Sequence, residues 1–78
     1  MHEELAEGYK EILAWRVSYT GCFSNKLFDL MSKADSHNRE RLKIAFPKEF
    51  TVFEDWEQAK DEPSFLEEIR VLCKRTRA

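Results

Sequence analysis

The sequence predicts an all-α fold: a small compact bundle of four to five short helices that forms a single domain over residues 1–78. Apolar residues recur with a period of about 3.6 along nearly the whole chain, whereas alternation with a period of two is almost absent. Glycine and proline occur only twice each, so few positions interrupt a helix. With 78 residues, the chain has no room for a second domain or a large enzyme fold.

The first two helices are predicted over residues 2–19 and 23–34, with a break at Thr20-Gly21. Glutamates occupy the opening turns of the first helix, where they suit the helix dipole. Its apolar face is formed by Leu5, Tyr9, Ile12 and Leu13. The second helix has the clearest amphipathic pattern in the chain. Its apolar stripe is formed by Phe23, Leu27, Leu30, Met31 and Ala34.

The third and fourth helices are predicted over residues 37–46 and 48–60. The Asp35-Ser36 pair indicates a helix start, because either side chain can cap the third helix. Pro47 can end the third helix or open the fourth, since proline fits the first helical turn. The fourth segment is also rich in aromatic and β-branched residues, so a short strand is the alternative there. Its acidic residues favour the helix.

The fifth helix is predicted over residues 65–75, after the helix-ending sequence Asp61-Glu62-Pro63. Ser64 and Glu67 have the spacing of a capping box. The core face of this helix is formed by Phe65, Leu66, Ile69, Leu72 and Cys73.

Charge is distributed unevenly along a chain with 13 basic and 15 acidic residues and a net charge of -2. Residues 21–48 contain six bases and three acids, residues 49–69 contain eight acids and one base, and residues 70–78 contain four bases. This distribution is typical of solvated helix faces, and it also suits a surface that steers a charged partner.

No pattern in the sequence indicates an enzyme, a cofactor or a metal site. The soft metal ligands His2, His37, Cys22 and Cys73 are scattered and lack the spacing of a zinc site. Cys22 with His37 is the only nucleophile and base worth pairing, and their spacing does not support a catalytic role. No glycine-rich loop is present to hold a phosphate group.

The cysteines and the N-terminal residues predict a cytoplasmic protein that has no membrane partner. Two isolated cysteines, behind an acidic start without an apolar signal stretch, indicate reduced thiols rather than a disulfide. The longest stretch without a charge, residues 17–25, is about half the length that a membrane-spanning helix needs.

Four aromatic residues are candidates for a protein interface, because with Val52 they do not all fit the simplest core stripes. They are Trp15, Tyr19, Phe28 and Trp56. The alternative is a core that wraps more widely around the helices. A homodimer would also bury these side chains and would relieve the marginal stability of so small a domain.

The segment from residue 23 to residue 46 also admits a nucleic-acid-binding interpretation. Two short helices with a tight connection could form a helix-turn-helix, whose second helix would offer Arg39, Arg41 and Lys43 to DNA. The net charge of -2 argues against this alternative, since DNA-binding domains are usually basic. The connection also lacks the usual glycine.

The stretch from residue 23 to residue 47 has a recognisable pattern. An aromatic-rich helix is followed by Ala34-Asp35-x-x-Asn38 and then by Leu42-x-x-x-Phe46-Pro47, with tryptophans upstream and downstream. In this pattern the chain resembles short uncharacterised proteins encoded by bacteriophages, prophages and other mobile elements. The resemblance covers about a third of the chain and implies a phage or mobile-element origin, but no activity and no catalytic residue.

These observations favour a small non-enzymatic protein-interaction module of phage or mobile-element origin. We expect it to bind a host or phage protein and to modulate or inhibit that protein. A nucleic-acid-binding regulator is the alternative, and a small thiol protein that uses Cys22 is a third class.

Overall fold

Five α-helices succeed one another in the structure, a computed structural model that describes the backbone of residues 2–76 and the side chains of residues 2–75. A 3-10 turn (Glu3–Leu5) leads into α1 (Ala6–Val17), α2 (Phe23–Lys33), α3 (Ser36–Ala45), α4 (Pro47–Gln58) and α5 (Glu62–Thr76). No strand occurs in this part of the chain. The predicted all-α bundle is therefore confirmed, and the strand alternative for residues 48–60 is wrong.

Local signals set the starts of α3 and α4. At α3 the Asp35 side chain is the cap, because its Oδ1 accepts a hydrogen bond from the Asn38 backbone N–H at 2.8 Å. Pro47 is the first residue of α4, so it opens the fourth helix and follows the last residue of the third by two positions. Each of these helices begins one residue before its predicted start.

Helix α5 starts three residues before the predicted position, because Asp61 and not Ser64 caps it. The carboxylate of Asp61 accepts hydrogen bonds from the Ser64 hydroxyl and from the Ser64 backbone N–H, the latter at 3.2 Å. The Asp61 carbonyl accepts the first helical bond from the Phe65 N–H at 3.1 Å. Pro63 lies in the first turn, where a missing N–H is tolerated. The predicted capping box of Ser64 and Glu67 is therefore wrong.

The connection between α1 and α2 depends on Gly21, whose φ of +78° lies in the left-handed region that other residues rarely adopt. The buried Asn25 holds this connection from the first turn of α2, since its Oδ1 accepts hydrogen bonds from the backbone N–H groups of Thr20 and Gly21 at 2.8 and 3.3 Å. The break predicted at these two residues is confirmed, but α1 ends at Val17, two residues before the predicted end.

Helix α1 lies at the centre of the bundle and packs against α2, α4 and α5, whereas α3 packs against α4. The core is formed by Tyr9, Ile12, Trp15, Leu27, Phe28, Met31, Phe50, Val52, Phe53, Leu66, Ile69 and Leu72. The predicted core face of α5 is confirmed. Helix α3 contributes no fully buried residue, and Leu42 and Phe46 at its end are only half-buried against the core.

The apolar stripe predicted for α2 is divided between the core and the surface. Leu27 and Met31 are buried as predicted, but Phe28 is buried beside them. Phe23 and Leu30, predicted to face the core, are 69% and 53% exposed. The buried side of α2 is therefore turned toward Phe28, because α1 and α4 cover that side of the helix.

Two further expectations bear on thiols and membranes. Cys22 and Cys73 are not joined by a disulfide in the structure. Among the helices of residues 2–76, none has the length and apolar character that crossing a bilayer demands.

Gly8 lies where α1 packs against Val52 of α4. A Cβ atom at this position would lie 3.1 Å from Cγ1 and 3.3 Å from Cγ2 of Val52, which is fully buried. A valine in a helix is almost restricted to one χ1 rotamer, so these methyl groups have little freedom to withdraw. The glycine, which is the third residue of α1, is thus required by the packing of this helix against Val52.

We expect Gly8→Ala to lower the free energy of unfolding by about 1 kcal/mol. Alanine gains about 1 kcal/mol in helix propensity, but overpacking against Val52 costs about 1 to 3 kcal/mol. Urea unfolding of the wild type, Gly8→Ala, Val52→Ala and the double variant measures both effects. The double variant should lose less stability than the sum of the single changes, and a Gly8→Ala protein more stable than the wild type would contradict the prediction.

Candidate functional site

The four aromatic residues predicted to form an interface do not make a shared exposed patch. Trp15 is 6% exposed and Phe28 is fully buried, with their ring centroids 5.5 Å apart. The prediction is therefore wrong for these two, because the core wraps around α1 and α2 more widely than the simplest stripes allow. Trp56 is half-buried against the core, and Tyr19 is the exposed member, at 53%.

Polar partners anchor the indole N–H groups of both tryptophans. Trp56 packs edge to face on Trp15 at 4.8 Å between ring centroids and donates its N–H to Glu62 Oε2 at 3.1 Å. The Arg16 guanidinium lies 5.0 Å from each of the two ring centroids, with its Nε 3.3 Å from Glu62. Trp15 donates to Asp29 Oδ1 at 2.9 Å. The polar atoms of both tryptophans are therefore bound by side chains of this chain, at the edge of its core.

Tyr19 is also engaged, since its hydroxyl donates to Asp29 Oδ2 at 2.6 Å. The hydrogen bonds from Tyr19 and then from Trp15 hold the pKa of Asp29 below its ordinary value, so the carboxylate stays ionised. The same hydrogen bond raises the pKa of Tyr19. The hydrogen bond between Tyr19 and Asp29 links the residues that follow α1 to α2.

The three basic residues proposed to contact DNA do not share one surface. Arg39 donates to both carboxylate oxygens of Glu57 at 2.9 and 2.8 Å, and its guanidinium carbon lies 5.5 Å from the Phe53 ring centroid. These hydrogen bonds hold the pKa of Glu57 below its ordinary value. Arg39 thus fastens α3 to α4, and its guanidinium is already engaged by Glu57, while its role as a nucleic-acid contact stays a prediction. Lys43 borders a hollow on the α4 side of α3, and Arg41 lies on the opposite side.

An open apolar groove, called here the α2–α3 groove, runs between α2 and α3 and has a volume of about 560 Å³. Its apolar lining is formed by Leu30, Ala34 and Leu42. Its polar lining is formed by Lys33, Asp35, Asn38 and Arg41. The groove exists because α3 packs against α4 and not closely against α2.

Two phenylalanines extend this apolar surface beyond the groove toward the start of α2. The rings of Phe23 and Phe46 lie 5.9 Å apart, and Phe23 is 69% exposed. Leu30, which is 53% exposed, lies two turns after Phe23 on the same face of α2, so exposed apolar side chains border both the groove and this ring pair.

The charged residues around the α2–α3 groove are mostly basic. Lys33 and Arg41 line it, and Lys26 lies one turn before Leu30 on the same side of α2. None of the three bases takes part in the ion pairs found among residues 2–75. The acidic residue of the groove, Asp35, already uses its carboxylate to cap α3. The groove therefore presents more basic than acidic side chains beside its apolar lining.

The thiol and base proposed from the sequence are not brought together. Cys22 lies directly before α2 and His37 in the first turn of α3, so the 11 residues of α2, about 16 Å of helix, separate them. Hydrogen bonds from the Ser24 side chain and then the Asn25 backbone lower the pKa of Cys22 to about 7. No cluster of three His, Cys, Asp or Glu side chains that could hold a metal occurs in the described part of the chain.

Comparison with known proteins found no matching family model, no matching curated protein and no matching solved structure. The resemblance to phage and mobile-element proteins therefore stays a prediction. The function has to be argued from the geometry of this chain.

Sequence reasoning missed the α2–α3 groove because it assigned all of the α2 stripe to the core. A signal was present: Phe28 adds a second apolar edge to α2 beside Leu27 and Met31. When a helix carries apolar residues on two adjacent faces, one layer of neighbouring helices covers only one of these faces, and the other stays uncovered.

Proposed function

We propose that this chain is a small protein-interaction module of phage or mobile-element origin that binds a host or phage protein through the α2–α3 groove and modulates or inhibits it. One observation carries the proposal: Leu30 in the groove and Phe23 on the same face of α2 are 53% and 69% exposed, and Phe23 packs on the half-buried Phe46 at the end of α3. Large uncovered apolar surfaces with a polar rim are typical of protein interaction sites.

The remaining exposed apolar residues do not offer an equivalent surface. Val17 is the last residue of α1 and Tyr19 follows that helix, Ile44 lies on α3 and is 80% exposed, and Val71 lies on α5. Singly exposed apolar side chains are normal in soluble domains and need no partner. The α2–α3 groove is distinguished by combining exposed apolar side chains from two helices with a concave shape.

The residues of the phage-like pattern support the same region. Ala34 and Leu42 line the groove, and Phe46 continues its apolar surface. Asp35 and Pro47 fix the two ends of α3, which forms one wall. The pattern thus consists of residues that build the groove, as expected if members of such a group share a binding surface.

The proposal is tested by capture with matched variants. Tagged wild type, Leu30→Glu and Val71→Glu are used to capture proteins from a bacterial lysate, with and without nuclease treatment. Both substituted residues are exposed, so both variants should keep the helical circular dichroism of the wild type. We expect a protein that wild type and Val71→Glu retain equally and that Leu30→Glu retains about tenfold less, because a carboxylate is placed in an apolar contact.

Two results would contradict the proposed function. Equal retention by Leu30→Glu and Val71→Glu would place binding outside the α2–α3 groove. Recovery of this chain alone would indicate a homo-oligomer and exclude a partner in that lysate. Retention that nuclease abolishes would instead favour the nucleic-acid-binding alternative, with Arg41 and Lys43 as the residues to change next.

A further inference from the structure

Resting on the proposed function, the geometry points to the kind of partner: we propose that the α2–α3 groove binds one acidic amphipathic helix of another protein. The partner helix lays aliphatic side chains on Leu30 and Leu42. It places carboxylates opposite Lys33 and Arg41 at the two walls.

The shape of the site favours a helix. Two neighbouring helices that leave an apolar furrow present the surface on which an amphipathic helix lays its apolar face, through residues at i, i+3, i+4 and i+7. The ten residues of α3 rise about 15 Å, so a partner helix of about 10 to 14 residues spans the furrow. Ala34 lies at the end of α2, where a small side chain lets another backbone approach closely.

The charge of the site favours an acidic partner. Lys26, Lys33 and Arg41 border the apolar surface without ion-pair partners among residues 2–75. The groove lining holds two bases, Lys33 and Arg41, against one acid, Asp35, and Lys26 nearby adds a third base, so basic residues are in excess at the site. Complementary charge around an apolar contact steers association and rejects partners of the wrong sign.

The same bases do not make the site a good one for nucleic acid. Leu30, Ala34 and Leu42 give the groove an aliphatic lining, so a nucleobase has no ring to stack on within the groove itself, and the exposed ring of Phe23 lies beyond it. Helix α4, against which α3 packs, carries Glu49, Glu54, Asp55 and Glu57. A chain of net charge -2 with this acidic helix beside the site repels a polyanion more than it repels a short acidic helix.

The partner class is tested by selection from a displayed library of helical peptides of about 14 residues. The apolar positions vary among Leu, Ile, Met, Val and Phe, and the flanking positions encode Glu or Lys with equal frequency. Selection is made on the wild type, on Lys33→Glu/Arg41→Glu and on Leu30→Glu. Fluorescence anisotropy then gives the affinity of the enriched peptides, at low and high salt, and of a labelled single-stranded oligonucleotide.

We expect Glu to be enriched about tenfold over Lys at flanking positions on the wild type, and this preference to reverse on Lys33→Glu/Arg41→Glu. The preference should weaken at high salt, and Leu30→Glu should retain few peptides of either charge. Peptides could be enriched on the wild type and lost on Leu30→Glu with Glu and Lys equally frequent at their flanking positions. That result would overturn the acidic partner and leave the groove as a binding site. Enrichment unaffected by Leu30→Glu would overturn the proposed function as well.

Two further outcomes assign other occupants. Oligonucleotide binding that is stronger than peptide binding and is lost on Lys33→Glu/Arg41→Glu would overturn the inference in favour of nucleic acid. Sedimentation that shows a dimer of the wild type and a monomer of Leu30→Glu would overturn it in favour of a second copy of this chain.

Discussion

Phe28→Ala is expected to remove a large part of the stability of this domain. Phe28 is fully buried, and its ring lies 5.5 Å from that of Trp15. Removing a buried phenylalanine side chain costs about 3 to 5 kcal/mol, because transfer free energy is lost and a cavity remains. At about 0.05 to 0.15 kcal/mol per residue, a domain of 78 residues has only about 4 to 12 kcal/mol in total.

The matched control is Phe23→Ala, on the same helix. Phe23 is 69% exposed and its main contact is the Phe46 ring at 5.9 Å, so we expect a loss below about 1 kcal/mol. Urea unfolding followed by tryptophan fluorescence measures both, since Trp15 and Trp56 report on the core. Equal losses for the two variants would mean that α2 turns another face to the core, and the α2–α3 groove would not exist as described.

Tyr9→Phe is expected to lower the free energy of unfolding by about 1.5 to 3 kcal/mol. Tyr9 is fully buried, and its hydroxyl donates a hydrogen bond to the Asp55 carboxylate across the contact between α1 and α4. The substitution removes a donor to a charged acceptor while keeping the ring, which packs edge to face on Phe65 at 6.3 Å. Tyr19→Phe is the control, because Tyr19 also donates to a carboxylate but is 53% exposed, and we expect a much smaller loss.

The stabilisation that the Tyr9 hydroxyl provides should decrease at high pH. Burial, followed by the hydrogen bond to Asp55, raises the pKa of Tyr9 from 10.0 to about 12. The folded state therefore holds the phenolic proton more tightly than the unfolded state does. The contribution of Tyr9 is complete below pH 10 and decreases as the pH rises toward about 12.

The comparison of wild type with Tyr9→Phe isolates this contribution from the other groups that titrate in alkali. The difference in their free energies of unfolding, from urea titrations at several pH values, should be constant below pH 10 and should shrink above it. A difference that grows above pH 10 would mean that the Tyr9 hydroxyl ionises more easily in the folded state, against the assignment of a buried donor.

The α2–α3 groove shows that apolar residues of one predicted stripe can differ in burial. Leu27 and Leu30 lie three residues apart on α2, yet the first is 5% exposed and the second 53%. Nothing in the local sequence separates them, since both fit one apolar stripe. The neighbouring helices make the difference. Helices α1 and α4 cover Leu27, whereas α3 packs against α4 and leaves Leu30 uncovered.

The basic residues of α3 show a similar limit. Arg39 and Arg41 are two positions apart and look alike in the sequence. Arg39 is bound to Glu57, 18 residues away, whereas Arg41 lines the α2–α3 groove. Helical geometry places residues two apart on different faces, but only the packing of α3 on α4 determines which face finds an acidic partner.

The sequence by itself determined the helical class and most helix positions of this protein, because these depend on signals within a few residues. The period of apolar residues, the Asp35 cap and the proline that opens α4 act locally. Only the tertiary structure decided which aromatic side chains are buried, which arginine is bound and where an apolar surface stays open. Each of these depends on contacts between segments distant in sequence, such as Trp15 with Asp29, and such contacts follow from how the helices pack on one another.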